Sequence, residues 1–286
     1  MPSDTPQQTR RSLALGIGGL AAAAAAFPVE AEAEATSNSR LDTVMKRGKL
    51  IVATFSTSPP LCYTDDKGTL VGFDIDIARA VAKAMFGDAE KIDFQVVDSS
   101  GRWPAVLSGR ADFGIASTTI YPDRALRVAF TGRYMDSSIS MMVRKDAKID
   151  ALGQLNDPQF TVANLSNPQM ADRAKRFFPK TKVLTFETPS AMMLAVKTGQ
   201  AQAMQMDTPV VDWYAAKDES FTVLPTLLGN VQNNAIFIKP GDFVWWLYLD
   251  TVVKEMLTGS RYDEYTGIFN KWFGRNPPPE RFYLKT

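Results

Sequence analysis

At 286 residues the chain is long enough for one large or two medium domains, and its 45% hydrophobic share is that of an ordinary soluble globular protein. Lys and Arg total 32 against 31 Asp and Glu, so a net charge of +1 offers no broad positive field to nucleic acid. With no histidine and one cysteine, Cys62, the chain can build no disulfide, no Ser-His-Asp triad and no zinc site of the usual kinds, and neither cofactor nor metal is expected.

Residues 1–35 read as a cleaved export signal. Arg10-Arg11 stands ahead of an alanine-rich apolar run from Leu13 to Phe27, and small-residue cleavage sites follow at Ala31-Glu32-Ala33 and Ala33-Glu34-Ala35. The run Thr9 to Leu15, with Gly16, Gly18 and Gly19 behind it, resembles a twin-arginine signal, with Sec export as the alternative. About fifteen apolar residues fall short of the roughly 20 that span a bilayer. No cysteine at the cleavage region offers itself to a lipid, so the mature chain is expected free in the periplasm, a monomer with no direct membrane insertion.

The folded part begins near Leu41 with a short amphipathic helix that Arg47-Gly48 ends, followed by a strand from Lys49 to Thr54. Ser58-Pro59-Pro60 breaks the pattern and Asp65-Asp66-Lys67-Gly68 makes a turn. Ile75, Ala78, Ala82 and Met85 then recur at helical spacing, with Asp74 placed to cap the start. A strand from Lys91 to Val97, a Ser99-Ser100-Gly101 loop and a helix from Arg102 to Ser108 lead to a short buried strand from Asp112 to Ser117. That strand ends in three hydroxyls, Ser117, Thr118 and Thr119, and the turn at Pro122 brings Arg124 close to them. A guanidinium fork beside hydroxyls suits a carboxylate; the plain alternative is a solvated turn with a surface arginine.

The order strand, helix, strand, helix, strand argues for a parallel sheet covered by helices, whose ligand site lies beyond the carboxyl ends of its strands. The order restarts after Met142: strand Gln159 to Ala163, polar loop Asn164 to Pro168, helix Met170 to Phe178, strand Lys182 to Phe186, helix Ser190 to Thr198, and strand Gln202 to Met206 ending at Asp207. Asp207 thus stands at a strand end, as the hydroxyl cluster does, although Thr208-Pro209 behind it also suits a helix cap. The segment Asn234 to Ile238 and two amphipathic helices, Phe243 to Leu257 and Tyr262 to Phe273, are expected to return to the first unit, with Trp245, Trp246, Met256, Phe269 and Trp272 as core. The expectation is a two-lobed α/β fold, each lobe a helix-covered, mostly parallel sheet. Residues 36–137 with 233–286 form one lobe and 138–232 the other, with a hinge where the chain crosses twice.

Gly72-Phe73-Asp74-Ile75-Asp76-Ile77 through Val81-Ala82 resembles the signature of the family 3 solute-binding proteins, the amino-acid receptors of ABC importers. Gly101 to Pro104 with Leu107 to Asp112, Ser117 to Phe130, and Gly199 to Asp207 resemble its further blocks in order, and Asn270 to Phe273 with Pro277-Pro278-Pro279 is similar to the glutamate/aspartate-binding branch. The resemblance implies a type II periplasmic binding protein fold, a ligand carboxylate held at Arg124 with Ser117 and Thr119, an ammonium held at Asp207, and delivery to an inner-membrane ABC permease. Where the family carries Gly-Thr in the second lobe, this chain has Ser166-Asn167-Pro168, and proline has no N–H to give. The acidic-amino-acid branch implies an arginine at Phe55 and another at Arg102; only the second is present, and Pro189 replaces a histidine. An acidic, polar or partly apolar amino acid, or a derivative, therefore fits, with Ser99 beside Arg102 in the pocket. Two alternatives accompany this reading: a ligand-sensing module for a membrane receptor, and a cyclohexadienyl-dehydratase-like enzyme, for which Gln169 and Met170 stand near where an acid is needed.

Overall fold

The structure, a computed structural model, describes residues 39–277; the export-signal reading and the end of the proline run lie outside the described residues. Ser39 accepts from the Leu41 N–H at the start of α1 (Arg40–Arg47), and Gly48 closes it in the left-handed conformation. After β1 (Leu50–Thr54), the short strands β2 (Thr57–Ser58), β3 (Cys62–Thr64) and β4 (Leu70–Val71) make a small antiparallel sheet. Asp74 does not cap α2 (Phe73–Phe86) as expected: the cap is Gly72, at φ 140°, where a Cβ would run into the Leu61 carbonyl, and the Asp74 carboxylate is used elsewhere.

The first half continues through β5 (Ile92–Val96), α3 (Arg102–Leu107), β6 (Phe113–Gly114), α4 (Pro122–Ala125) and β7 (Ala129–Ser137). Then come β8 (Ile139–Arg144), β9 (Thr161–Leu165), α5 (Pro168–Phe177), β10 (Lys182–Phe186), α6 (Pro189–Lys197), β11 (Ala203–Asp207), α7 (Thr208–Lys217) and β12 (Phe221–Val223), and finally β13 (Gln232–Ile238), α8 (Phe243–Thr258) and α9 (Tyr262–Phe273). Two five-stranded sheets result, ordered β5-β1-β6-β13-β7 and β10-β9-β11-β8-β12.

Each sheet is mixed rather than mostly parallel. β5, β1 and β6 run parallel, as do β10, β9 and β11, while β13 and β7 in one sheet and β8 and β12 in the other run antiparallel to their neighbours. The departure has a topological cause: β7 and β8 are separated only by Ser138, so one extended run serves as an edge strand of the first sheet and then enters the second, and β13 pairs with it on the way back. α8 lies on β7 and against α1 and α2, and α9 packs on α2 and α8. Trp245, Met256 and Phe269 are buried there, the Trp245 indole donating to the Asp112 carbonyl, while Trp246 and Trp272 are half-buried. The carboxyl ends of β1, β5 and β6 face those of β9, β10 and β11, the position that open α/β sheets favour for ligands.

Candidate functional site

A small inner chamber of about 30 Å³ lies between the strand ends, lined by Phe55, Arg102, Ser117, Thr119 and Arg124 from the first sheet's side and by Asp207 among others from the second's. That is room for roughly two waters. An outer chamber of about 210 Å³ adjoins it, sharing Arg102, Arg124, Asn167 and Gln169 and adding Ser99, Trp103 and Arg127.

The first wall is built on strand ends and two short helices. Pro at the first position of α4 starts the turn that aims Arg124 inward, where it donates to the Thr119 carbonyl at 2.8 Å and lies over the Tyr121 ring at 4.8 Å and the Trp103 ring at 5.6 Å. Burial lowers its pKa. Arg102, 3% exposed at the start of α3, donates to the Thr118 hydroxyl at 3.2 Å and the Ala116 carbonyl at 3.4 Å, between the Phe55 and Trp103 rings. It neither caps the Ser99 loop nor pairs with Asp98, whose carboxylate takes the Ser100 hydroxyl and the Gly101 N–H instead. Burial, then Arg124, pulls the Arg102 pKa down to about 9, so it remains a cation at neutral pH, and its Nε is buried without an acceptor. Thr119 lies within reach of Gln232 and Asn234 of β13.

On the second wall Asp207 is 4% exposed and accepts from the Ser137 hydroxyl at 3.3 Å. It holds the cap position of α7 without a side-chain capping bond, so the helix-cap role allowed by Thr208-Pro209 is not taken up and its oxygens are left to the cleft. Burial pushes its pKa up to about 6 against the pull of Ser137, Arg173, Arg124 and Arg102.

A scan against protein-family models matches residues 50–275 to the bacterial extracellular solute-binding proteins, family 3. This chain belongs to that family. Relatives of this solute-binding protein include a glutamine-binding protein of Geobacillus stearothermophilus, 32% identical over 213 residues that cover 70% of this chain and 79% of that one. A glutamate/aspartate import solute-binding protein of Escherichia coli is 23% identical over 257 residues, covering 87% and 84%. Among solved structures, an ancestral amino acid-binding protein, a precursor of cyclohexadienyl dehydratase, superimposes with a TM-score of 0.73 at 33% identity, over 82% of this chain and all of that one. The type II two-lobed α/β fold expected of the sequence is the fold of this solute-binding protein.

All nine residues singled out from the sequence lie at facing strand ends or helix starts around the two chambers. Their side chains are not all free for a ligand. The Asn167 oxygen caps α5, accepting from the Met170 N–H, and the Ser166 N–H is taken by the Phe186 carbonyl. Ser99 spans the cleft, its hydroxyl donating to the Ser166 carbonyl and its N–H to the Glu187 carbonyl. Two residues of α5 carry more than the sequence reading assigned. Gln169 accepts from Arg124 at 2.9 Å and donates to Asp123, and Arg173 reaches the Tyr121 hydroxyl at 3.0 Å and Gln205 at 3.4 Å. Their spacing of four on one helix face was a legible signal.

Proposed function

We propose that this protein is the receptor of an amino-acid ABC importer, taking an amino acid between its two lobes by the α-carboxylate and α-ammonium and presenting it to an inner-membrane permease. The observation that carries the reading is the pairing, on opposite walls of one cleft, of Arg124 with a buried Asp207: among the described residues Arg124 bonds only to neutral oxygens and Asp207 makes no ion pair. A zwitterion satisfies both at once, with Ser117 and Thr119 beside the carboxylate. Arg102 and Phe55 meet the ligand side chain, and Ser99, Ser166 and Asn167 line the mouth.

The inner chamber is too small for an amino acid, so the walls must part to admit one. The hinge runs through residues 135–140 and 229–234, dividing the chain near 137/138 and 232/233. A ligand that bonds to both walls only in the closed form shifts the population toward closure. The names and family of the relatives, glutamine-binding and glutamate/aspartate import proteins among them, support amino-acid delivery over catalysis. They also support an extracellular workplace, which the signal-like leader narrows to the periplasm after export by the twin-arginine route; no helix among the described residues is long and apolar enough to cross a membrane. The protein works as a monomer.

A thermal-shift screen of the purified protein against the twenty proteinogenic L-amino acids tests the reading. A ligand at 100 times its Kd adds about 2.7 kcal/mol of stability, a clear rise in Tm. No shift with any of them, together with turnover of a prephenate-like cyclic acid, would replace the receptor by an enzyme.

A further inference from the structure

Gly72-Phe73-Asp74 opens the stretch that most resembles the family signature, yet the ligand-binding reading gives Asp74 no part. It is fully buried in the first turn of α2, and that turn is rigidly set: the Phe73 N–H donates to the Pro60 carbonyl at 2.9 Å and the Asp74 N–H to the Leu61 carbonyl at 2.8 Å. Its carboxylate accepts from the Ser117 N–H at 2.7 Å and from the buried Tyr134 hydroxyl at 2.9 Å. The other ionisable groups facing it are the Cys62 thiol of β3 and, across the cleft, Asp207; neither is a cation. A buried carboxylate held by neutral donors alone is an expensive way to hold two strands together. Burial accordingly raises its pKa to about 7.

The unusual partner is Ser117. Its φ is 48°, a left-handed conformation that an L-residue with a side chain adopts at a cost of roughly 1–2 kcal/mol. Ser117 lines the inner chamber, and the chain turns there so that Thr119 does so too. We infer that Asp74 is a positioning residue for ligand binding: through the Ser117 N–H its carboxylate holds the Ser117–Thr119 backbone in the shape that meets the ligand. The inference rests on the amino-acid-binding reading of this same cleft.

A double-mutant cycle with Ser117→Gly tests it, because glycine enters the left-handed region without the penalty and has less need of the anchor. Affinity is measured by calorimetry with the L-amino acid that most stabilises wild type, and folding by circular dichroism. Asp74→Ala is expected to weaken binding about 10-fold to 100-fold in the wild-type background and less than about threefold on top of Ser117→Gly. Asp74→Asn, whose amide oxygen still accepts from Ser117, should stay within about threefold of wild type. Should Asp74→Ala not fold, Asp74→Ser, too short to reach Ser117, runs the same cycle. Equal losses in both backgrounds, or a lowered Tm with unchanged affinity, would overturn the positioning role while leaving the receptor intact. A wild type that binds none of the twenty amino acids would overturn both readings.

Discussion

The wall that β1, β5 and β6 contribute carries Arg102 and Arg124, stacked on aromatic rings and bonded only to neutral oxygens. The wall that β9 and β11 contribute carries Asp207, bonded among the described residues only to Ser137. Burial moves each away from its charged form: the arginine pKa values fall and that of Asp207 rises. No ion pair joins them, and the side-chain contacts that cross the cleft, Ser99 to Ser166, Arg124 and Asp123 to Gln169, and Tyr121 to Arg173, each have at least one neutral partner. Under the proposed function the walls are complementary to a third body carrying both charges rather than to each other.

Removing the cation at the centre of the first wall should have the largest effect. Arg124→Ala is expected to lose about 30-fold to several thousandfold in affinity, since truncating one partner of a desolvated pair costs about 2–5 kcal/mol. The circular dichroism spectrum should be unchanged, and calorimetry on wild type and mutant decides. An affinity equal to wild type would remove Arg124 from the site.

The second wall should yield less to substitution, because an amide oxygen still accepts from an ammonium. Asp207→Asn is expected to bind about 10-fold to 100-fold more weakly at pH 8. In wild type Asp207 must be ionised to take the ammonium, so affinity should fall about tenfold per pH unit below about 6, and the mutant should lose that dependence. Stability runs the other way. The folded pKa of about 6 lies above the unfolded 3.8, so between these values the folded state holds a proton that the unfolded state has released. The Asp207 contribution therefore destabilises the free protein as pH rises from about 4 to 6 and stays unfavourable above. Free Asp207→Asn should consequently melt about 2–6 °C higher than wild type at pH 8; a lower Tm would mean that the carboxylate is better solvated than its burial implies.

Arg102 sharpens the question of ligand class. If its buried, unaccepted Nε belongs to a ligand carboxylate, Arg102→Met should remove Glu and Asp by about tenfold or more while sparing Gln and Asn. Titrating these four ligands into both proteins separates this from a purely structural arginine, which would leave their ranking as it was. The smallest effect should come from Gln169→Ala, which removes the bonds to Arg124 and Asp123 across the cleft but leaves both charges in place: less than about threefold in affinity. Small-angle scattering should find the free mutant more expanded, and still compacting when ligand is added. An unchanged radius on saturation would count against closure itself.

Much of this was legible from local pattern. The alternation of strands and helices, Gly48 as a helix stop, and hydroxyls followed by Pro122 and Arg124 all depend on neighbours within a few residues, where backbone sterics and capping act. Gln169 and Arg173 were equally legible at their spacing of four, but only the second wall's position gives them partners. Asp74 misled because its place just ahead of a helical stripe suits a cap; the glycine before it takes that position, and a carboxylate one turn of geometry away finds the Ser117 N–H instead.

By itself the sequence determined the family, the two α/β units, the Pro122 turn that carries Arg124 and the strand end at which Asp207 stands, because period, capping and turn chemistry are local properties of the chain. Tertiary structure alone decided that the sheets are mixed, since antiparallel pairing of β7 with β13 and of β8 with β11 depends on where the chain returns, which no window of sequence contains. It also decided that Arg102 meets no carboxylate among the described residues and that Asp74 reaches the cleft from behind. Each of these is a matter of which groups burial brings together from separate elements or denies to one another, and the free energy of a buried charge is set by those neighbours and not by its place in the chain.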